Sequence, residues 1–432
     1  MVRKRILAKS EEYWKRAKTI IPAGTQCLSK GPTQFVDGVA PKYLVRGKGC
    51  HVWDVDGNEY IDYGMGLRPI ILGYCYPAVD KAISRQLEDG ITFTLMHPLE
   101  VEVAELLTDI IPCAEAVRYG KNGSDATTAA VRVARAYTGR DKIAICGYHG
   151  WHDWYIVTTD RSKGVPKIMK QLSFTFQYNN IESLKKLFDA YPGAFAAVIM
   201  EPVGVTPPKD DFLKQVQKIT HDHGAILIFD EIITGFRLSL GGAQEYFGVT
   251  PDLATFGKAM ANGMPISALV GKREIMNVLN DTFFSFTFGG ECLSLAATIA
   301  TINELKAKKV IPFIWAQGKK LQEGYNKLTR ELKLEDHTQC VGYPPSTLAK
   351  FFGKKTEDSL LMKSLVQQEL LKMGILWAAY HAISYSHKNV EIDRTLEAFE
   401  GALKILKKAS RAGDIGKFLE GKPVKPVFRE VL

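Results

Sequence analysis

A chain of 432 residues, 46% hydrophobic and 24% charged, has the balance of a globular protein rather than a disordered one and is long enough for two or three lobes. No apolar run approaches the roughly 20 residues that cross a bilayer, and charges interrupt the basic start, residues 1–9, before a signal-peptide core can form, so a cytoplasmic protein with no membrane partner is expected. The net charge of +9 is spread out, as at Lys306, Lys308 and Lys309, without the aromatic interleaving of a nucleic-acid surface; solvated helix faces account for it, with attraction of a phosphorylated or nucleotide-linked substrate as the weaker reading.

Residues 11–20 read as an amphipathic helix that stops at Pro22 and Gly24. Residues 52–55 and 58–63 alternate around Asp56-Gly57, a β-hairpin signal. From about residue 100, short apolar strands at 116–119, 142–146, 195–200 and 225–229 alternate with helices, one at 124–138 and one carrying Phe212, Val216 and Ile219. Uninterrupted apolar strands between helices indicate an α/β layered domain with a largely parallel sheet. Beyond residue 300, amphipathic helices at 298–309, 312–333 and 391–408 point to a smaller C-terminal lobe. Seven cysteines, odd in number and without a CxxC pair, make a poor disulfide or zinc framework and suit a reducing compartment.

In open α/β sheets, functional groups gather at the carboxyl ends of strands, and four segments fall there. Asn122-Gly123-Ser124-Asp125 opens a helix; its free N–H groups suit a phosphate, although a plain helix cap explains the segment equally well. Tyr148-His149-Gly150 puts an aromatic ring on a strand exit, able to stack on a flat group. A metal pair of His149 with His152 lacks a third ligand, so no metal is expected. Asp230-Glu231 ends an apolar strand, and an acid there needs a cationic partner such as a protonated pyridine nitrogen, or else serves as a helix cap. Lys258 follows apolar residues and precedes a Gly/Pro turn, where lost hydration makes its amine a usable nucleophile. Each segment alone is weak; a phosphate cup, a stacking ring, a buried acid and a lysine in one order are what pyridoxal 5′-phosphate (PLP) requires.

At these residues the sequence resembles the class III aminotransferases of PLP fold type I, and within them the glutamate-1-semialdehyde aminomutase branch. The matching stretches are Asp56–Tyr63, Ile71–Gly73, Asn122–Ser124, Tyr148–Gly150, Glu201–Val203, Asp230–Arg237, Phe256–Pro265 and Thr287–Gly289, within about 20–400. The resemblance implies a large PLP-binding domain at 66–308 with a mostly parallel sheet flanked by helices. An N-terminal helix and hairpin segment at 1–65 and a small α+β domain at 309–432 complete the expected division. It implies that Lys258 forms the Schiff base and shuttles the proton, and that Asp230 pairs with the pyridine nitrogen. Ile232 and Tyr148 would cover the two ring faces, Gly123 and Ser124 would bind phosphate, and Glu201 would lie at the cofactor. Thr287 would reach the partner subunit's phosphate, so a homodimer with shared active sites is expected. Lys30, Arg68, Arg237 and Glu291 are candidates for the substrate pocket, with structural ion pairs as the plainer alternative.

Where the aminomutases carry Ser and Arg in an N-terminal Pro-Gly-Gly segment, this chain has Cys27 and Lys30, and Lys lacks the two-pronged fit of Arg to a carboxylate. The segments 24–31 and 285–291 look more like relatives that aminate sugar or aminocyclitol carbonyls. The expected activity is therefore a ping-pong transamination from an amino acid, L-glutamate foremost, to an aldehyde or ketone. Glutamate-1-semialdehyde 2,1-aminomutase is the runner-up, and a catalytically silent PLP-binding protein is a third reading.

Overall fold

The computed structural model describes residues 5–426; the first four residues of the basic start lie outside that part. The chain divides into two compact units, one formed by residues 77–311 and the other by the residues before and after them.

The 77–311 unit is built on seven strands: β1 (Ala116–Gly120), β2 (Lys142–Cys146), β3 (Ser173–Thr175), β4 (Phe195–Met200), β5 (Ile226–Asp230), β6 (Leu253–Phe256) and β7 (Ser267–Gly271). Their order across the sheet is β1-β7-β6-β5-β4-β2-β3. The neighbours from β6 to β3 are parallel, whereas β7 runs antiparallel to both β6 and β1. The parallel core follows from composition: every residue of β4, β5 and β6 is buried, which demands cover on both faces. The reversal at β7 follows from length. The connection 257–266 is shorter than the roughly dozen residues that a parallel crossover takes.

Helix α1 (Gly123–Thr138) follows β1 and buries Ala126, Ala129, Ala130, Val131, Val133 and Ala134. These small side chains let it close on the sheet, where they share a core with Ile143, Ile145, Ala197, Ile199 and Ile228. Burying each valine is worth roughly 1.5–3 kcal/mol. The Asp125 carboxylate caps the helix start by accepting the N–H groups of Lys121 and Asn122 at 3.0 and 2.7 Å, and Gly139 ends it at φ 67°. Helix α2 spans Cys292–Ala307. It begins earlier than the apolar periodicity alone suggests, because Glu291 accepts the N–H groups of Leu293 and Ser294 and so nucleates the first turn.

The second unit contains a four-stranded sheet in the order Leu44–Lys48, His51–Asp54, Glu59–Asp62, Ile375–Leu376. The expected hairpin is its centre, with Gly57 turning at φ 88°. Three antiparallel strands, Thr338–Tyr343, Ser346–Phe351 and Tyr380–Ala382, form another sheet. The helices Thr356–Lys372 and Asn389–Arg411 belong to the same unit. Among the described residues no helix is long and apolar enough to cross a membrane, and the seven cysteines are free thiols.

Candidate active site

Because β2, β4, β5 and β6 are parallel neighbours, their carboxyl ends lie side by side, Cys146 opposite Met200, Met200 opposite Phe229, and Asp230 opposite Thr255. The residues that leave those ends are Tyr148 and His149, Glu201, Asp230 and Lys258. Ligands collect at this edge of such sheets.

Asp230 is 5% exposed. One carboxylate oxygen lies 2.7 Å from His149 Nδ1; the other accepts the Thr255 hydroxyl at 3.2 Å and the Ile232 N–H at 3.1 Å. His149 is buried as well, and its Nε2 lies 3.2 Å from the Cys146 carbonyl. The acid is thus held by three groups in one orientation. The metal pairing of His149 with His152 does not form: His152 Nδ1 is 2.6 Å from the Thr128 hydroxyl. His149 as the partner of Asp230 was not legible in the chain, although a buried acid requires a partner and a histidine three residues beyond the end of β2 was the signal available.

Glu201 lies in the same electrostatic field. Desolvation raises its carboxyl above the usual range and the Asp230 charge adds to the rise, while His149, the Tyr148 N–H and Lys258 oppose it. The Tyr148 N–H donates to Glu201 Oε2 at 2.9 Å. Tyr148 is 48% exposed and its ring lies edge-on to Tyr155, centroids 5.4 Å apart.

The phosphate cup and the lysine turn meet across Ile232. A Cβ on Gly123 would lie 3.2 Å from Ile232 Cγ1, and one on Gly257 would lie 3.1 Å from its Cδ1. Loop 148–151 seats on the first turn of α1: the Thr127 hydroxyl donates to the His149 carbonyl at 2.9 Å and the Trp151 N–H to Ser124 Oγ at 3.3 Å. Lys258 itself has φ 42°, a left-handed conformation that costs an L-residue about 1–2 kcal/mol. Such strain collects at functional positions. Buried Ala259, Met260 and Ala261 follow it.

Seven anticipated residues, Gly123, Ser124, Tyr148, Glu201, Asp230, Ile232 and Lys258, therefore converge on one strand edge. Glu231 has a separate duty: its carboxylate accepts the N–H groups of Ala243 and Gln244 at 2.7 and 2.9 Å and the Thr234 hydroxyl, and burial pushes it up to about 6. The substrate candidates divide between the two units. Arg237 is 1% exposed and donates its backbone N–H to Thr234. Glu291 caps α2 and pairs with Lys121 at 2.8 Å; burial would raise its carboxyl, but the bonds from Lys121 and Ser294 outweigh burial and lower it. Lys30 lies in the short turn Leu28–Lys30 and Arg68 stacks 4.1 Å over the Tyr380 ring; both belong to the other unit. Thr287 is exposed.

These groups fit a flat, phosphorylated, pyridine-type molecule. A glycine-lined helix start with a hydroxyl can accept a phosphate, an oriented acid can pair with a ring cation, a ring and an isoleucine can give apolar cover, and a lysine can supply an amine.

Comparison with known proteins agrees. The family model "Aminotransferase class-III" matches residues 36–342. The chain is 39% identical to the 3-aminobutyryl-CoA aminotransferase of Cloacimonas acidaminovorans (strain Evry) over 94% of this chain and 100% of that one. It is 38% identical to the glutamate-1-semialdehyde 2,1-aminomutase of Acetivibrio thermocellus, covering 90% and 96%. Among solved structures, the FumI protein of Sphingopyxis sp. MTA144 in a PLP form superposes with a TM-score of 0.88 at 26% identity, covering 94% and 98%. An omega-transaminase from Sphaerobacter thermophilus superposes at 0.85 and 26%, covering 92% and 98%. By family match, full-length relatives and shared fold, the chain belongs to the class III aminotransferases, enzymes of PLP fold type I with pyridoxal 5′-phosphate as cofactor.

Proposed function

We propose that this enzyme moves the amino group of an amino acid, L-glutamate as donor, to the carbonyl of an aldehyde or ketone in two half-reactions. The observation that carries the reading is the common field of Glu201, Asp230, His149 and Lys258 at adjacent strand ends. PLP, when bound, supplies an electron sink for the carbon from which a proton is removed. Asp230, oriented by His149 and Thr255, keeps the proton on the pyridine nitrogen. Gly123, Ser124 and the α1 N–H groups hold the phosphate, while Tyr148 and Ile232 cover the ring. Lys258 Nζ would hold the cofactor at rest and, once freed, would act as the base that takes up and returns the substrate Cα proton. Glu201 fixes the Tyr148 loop through its N–H.

A homodimer in the cytoplasm completes the reading, with Thr287 reaching the partner subunit's phosphate. Support comes from the exposed Phe283, Phe286 and Phe288 around Thr287, with Leu95 and Met96 also exposed, since apolar side chains grouped at a surface mark association sites. Free cysteines support a reducing compartment.

The acceptor is found by loading the protein with pyridoxamine phosphate and screening carbonyl compounds. The panel holds 2-oxoglutarate, keto-sugars, aminocyclitol ketones, glutamate-1-semialdehyde and, because of the Cloacimonas relative, a 3-oxoacyl-CoA thioester. Return of the lysine-bound cofactor's visible absorbance identifies the acceptor. If no carbonyl restores it and L-glutamate leaves the PLP spectrum unchanged, the transaminase reading fails and a silent PLP-binding protein remains. The second reading, aminomutase, is favoured by the 38% identical relative; turnover of glutamate-1-semialdehyde alone, with no added donor, would establish it.

A further inference from the structure

Outside the PLP-binding unit, three side chains of different chemistry converge. Cys50 precedes the strand His51–Asp54, and Glu391 stands in the first turn of the helix Asn389–Arg411. Cys50 Sγ, a His51 ring nitrogen and a Glu391 carboxylate oxygen all lie within 4.8 Å of one another. His51 Nε2 is 3.7 Å from Glu391 Oε1, and its Nδ1 is 2.7 Å from Glu59 Oε1. The Glu59 contact is a charge approach without hydrogen-bond geometry, since His51 Nδ1 has no hydrogen-bond partner among the described residues. The second Glu391 oxygen accepts the Lys388 N–H at 2.9 Å, which anchors that carboxylate.

We infer that Cys50, His51 and Glu391 form a site for a borderline-soft divalent metal of the zinc class. The ligand set selects the metal: a sulfur, an imidazole nitrogen and one carboxylate suit zinc and its neighbours, whereas magnesium and calcium take oxygen. Tetrahedral zinc places such donors roughly 3.3–3.8 Å apart, so the three atoms close by about an ångström. Three protein ligands leave a fourth position for water or a further ligand.

Burial shows how an ion would reach the cluster. Cys50 is 1% exposed, whereas the His51 and Glu391 side chains keep 25% and 16% exposure, enough for an ion to enter. The Cys50 thiol donates to the Ser386 carbonyl at 3.3 Å, a bond that ligation of an ion by the sulfur would replace. The adjacent pair Cys50-His51 with a third ligand far along the chain matches no linear metal motif, so residue spacing does not reveal it.

The test is a cobalt(II) titration of the PLP-loaded enzyme after chelator treatment. One saturable equivalent with a thiolate-to-cobalt charge-transfer band in the near ultraviolet is expected. Cys50→Ser removes that band with the cofactor's visible spectrum intact. A band that survives Cys50→Ser, or no saturable binding, overturns the assignment. X-ray absorption at the zinc edge of the zinc-loaded wild-type enzyme decides it without any variant: one sulfur among nitrogen and oxygen ligands is expected, and a shell without sulfur or with several sulfurs overturns it.

Discussion

Gly150→Ala tests whether loop 148–151 and the start of α1 are locked together. Gly150 has φ 105°, and a Cβ built there would lie 2.2 Å from Ser124 Oγ, 2.9 Å from Ser124 Cβ and 3.2 Å from Ser124 Cα. Ser124 cannot swing aside easily, because it is 8% exposed within the first turn of α1, and the loop is tied to that turn through Thr127. The left-handed backbone costs an alanine of order 1–3 kcal/mol and the forced displacement adds about 1–3 kcal/mol. A total loss of about 2–6 kcal/mol is expected. Gly139→Ala is the control: φ is 67° there and nothing lies within 4 Å of the added carbon, so only the backbone cost of about 1–2 kcal/mol applies. Urea unfolding of the PLP-free proteins measures both. If Ser124 holds phosphate, shifting it forfeits a charge-assisted bond worth about 1.5–3 kcal/mol, so PLP should dissociate about 10–100-fold more readily from the Gly150 variant. Equal stability of the two variants, with PLP held as in the wild type, would refute the steric lock.

Lys258→Ala should abolish turnover and the visible absorbance of the lysine-bound cofactor; a coloured, active variant would show that another amine does the work. His149→Ala leaves Asp230 buried with one partner fewer, and the side chains are 0% and 5% exposed, so a loss of about 3 kcal/mol or more is expected by urea unfolding, with kcat falling more than KM rises; unaltered stability and kinetics would remove His149 from the site. Glu231 has a raised folded-state value of about 6 against an ordinary 4.5, so the folded chain holds its proton more tightly than the unfolded chain does. Its stabilising contribution is complete below pH 4.5 and is lost as pH rises through 6, a change of about 2 kcal/mol. Glu231→Gln should therefore gain about that much stability relative to wild type between pH 4.5 and 7, and a difference that stays flat across this window would contradict the buried-acid account.

Local periodicity made most of the sheet readable. The strands 116–119, 142–146, 195–200 and 225–229 recur within one residue as β1, β2, β4 and β5, because apolar runs of that length can be satisfied only by burial on both faces. Lys258, Asp230 and Tyr148 were legible for a related reason: a polar group directly after a buried strand is costly unless it has a task. Helix starts were less legible. Glu291 nucleates α2 before its apolar stripe begins, and a capping carboxylate looks the same in sequence as a solvated one.

What the residues determined alone was which segments are buried and which chemical groups stand at their ends, since both depend on neighbours a few positions away. What only the tertiary structure decided was pairing between distant positions. His149 meets Asp230 across 81 residues and Lys121 meets Glu291 across 170, while Glu391 comes to Cys50 and His51 from the far end of the chain. Electrostatics and hydrogen bonding act through space over a few ångströms. Which carboxylate is a helix cap, an ion-pair partner or an oriented acid is therefore settled when the sheets and helices pack.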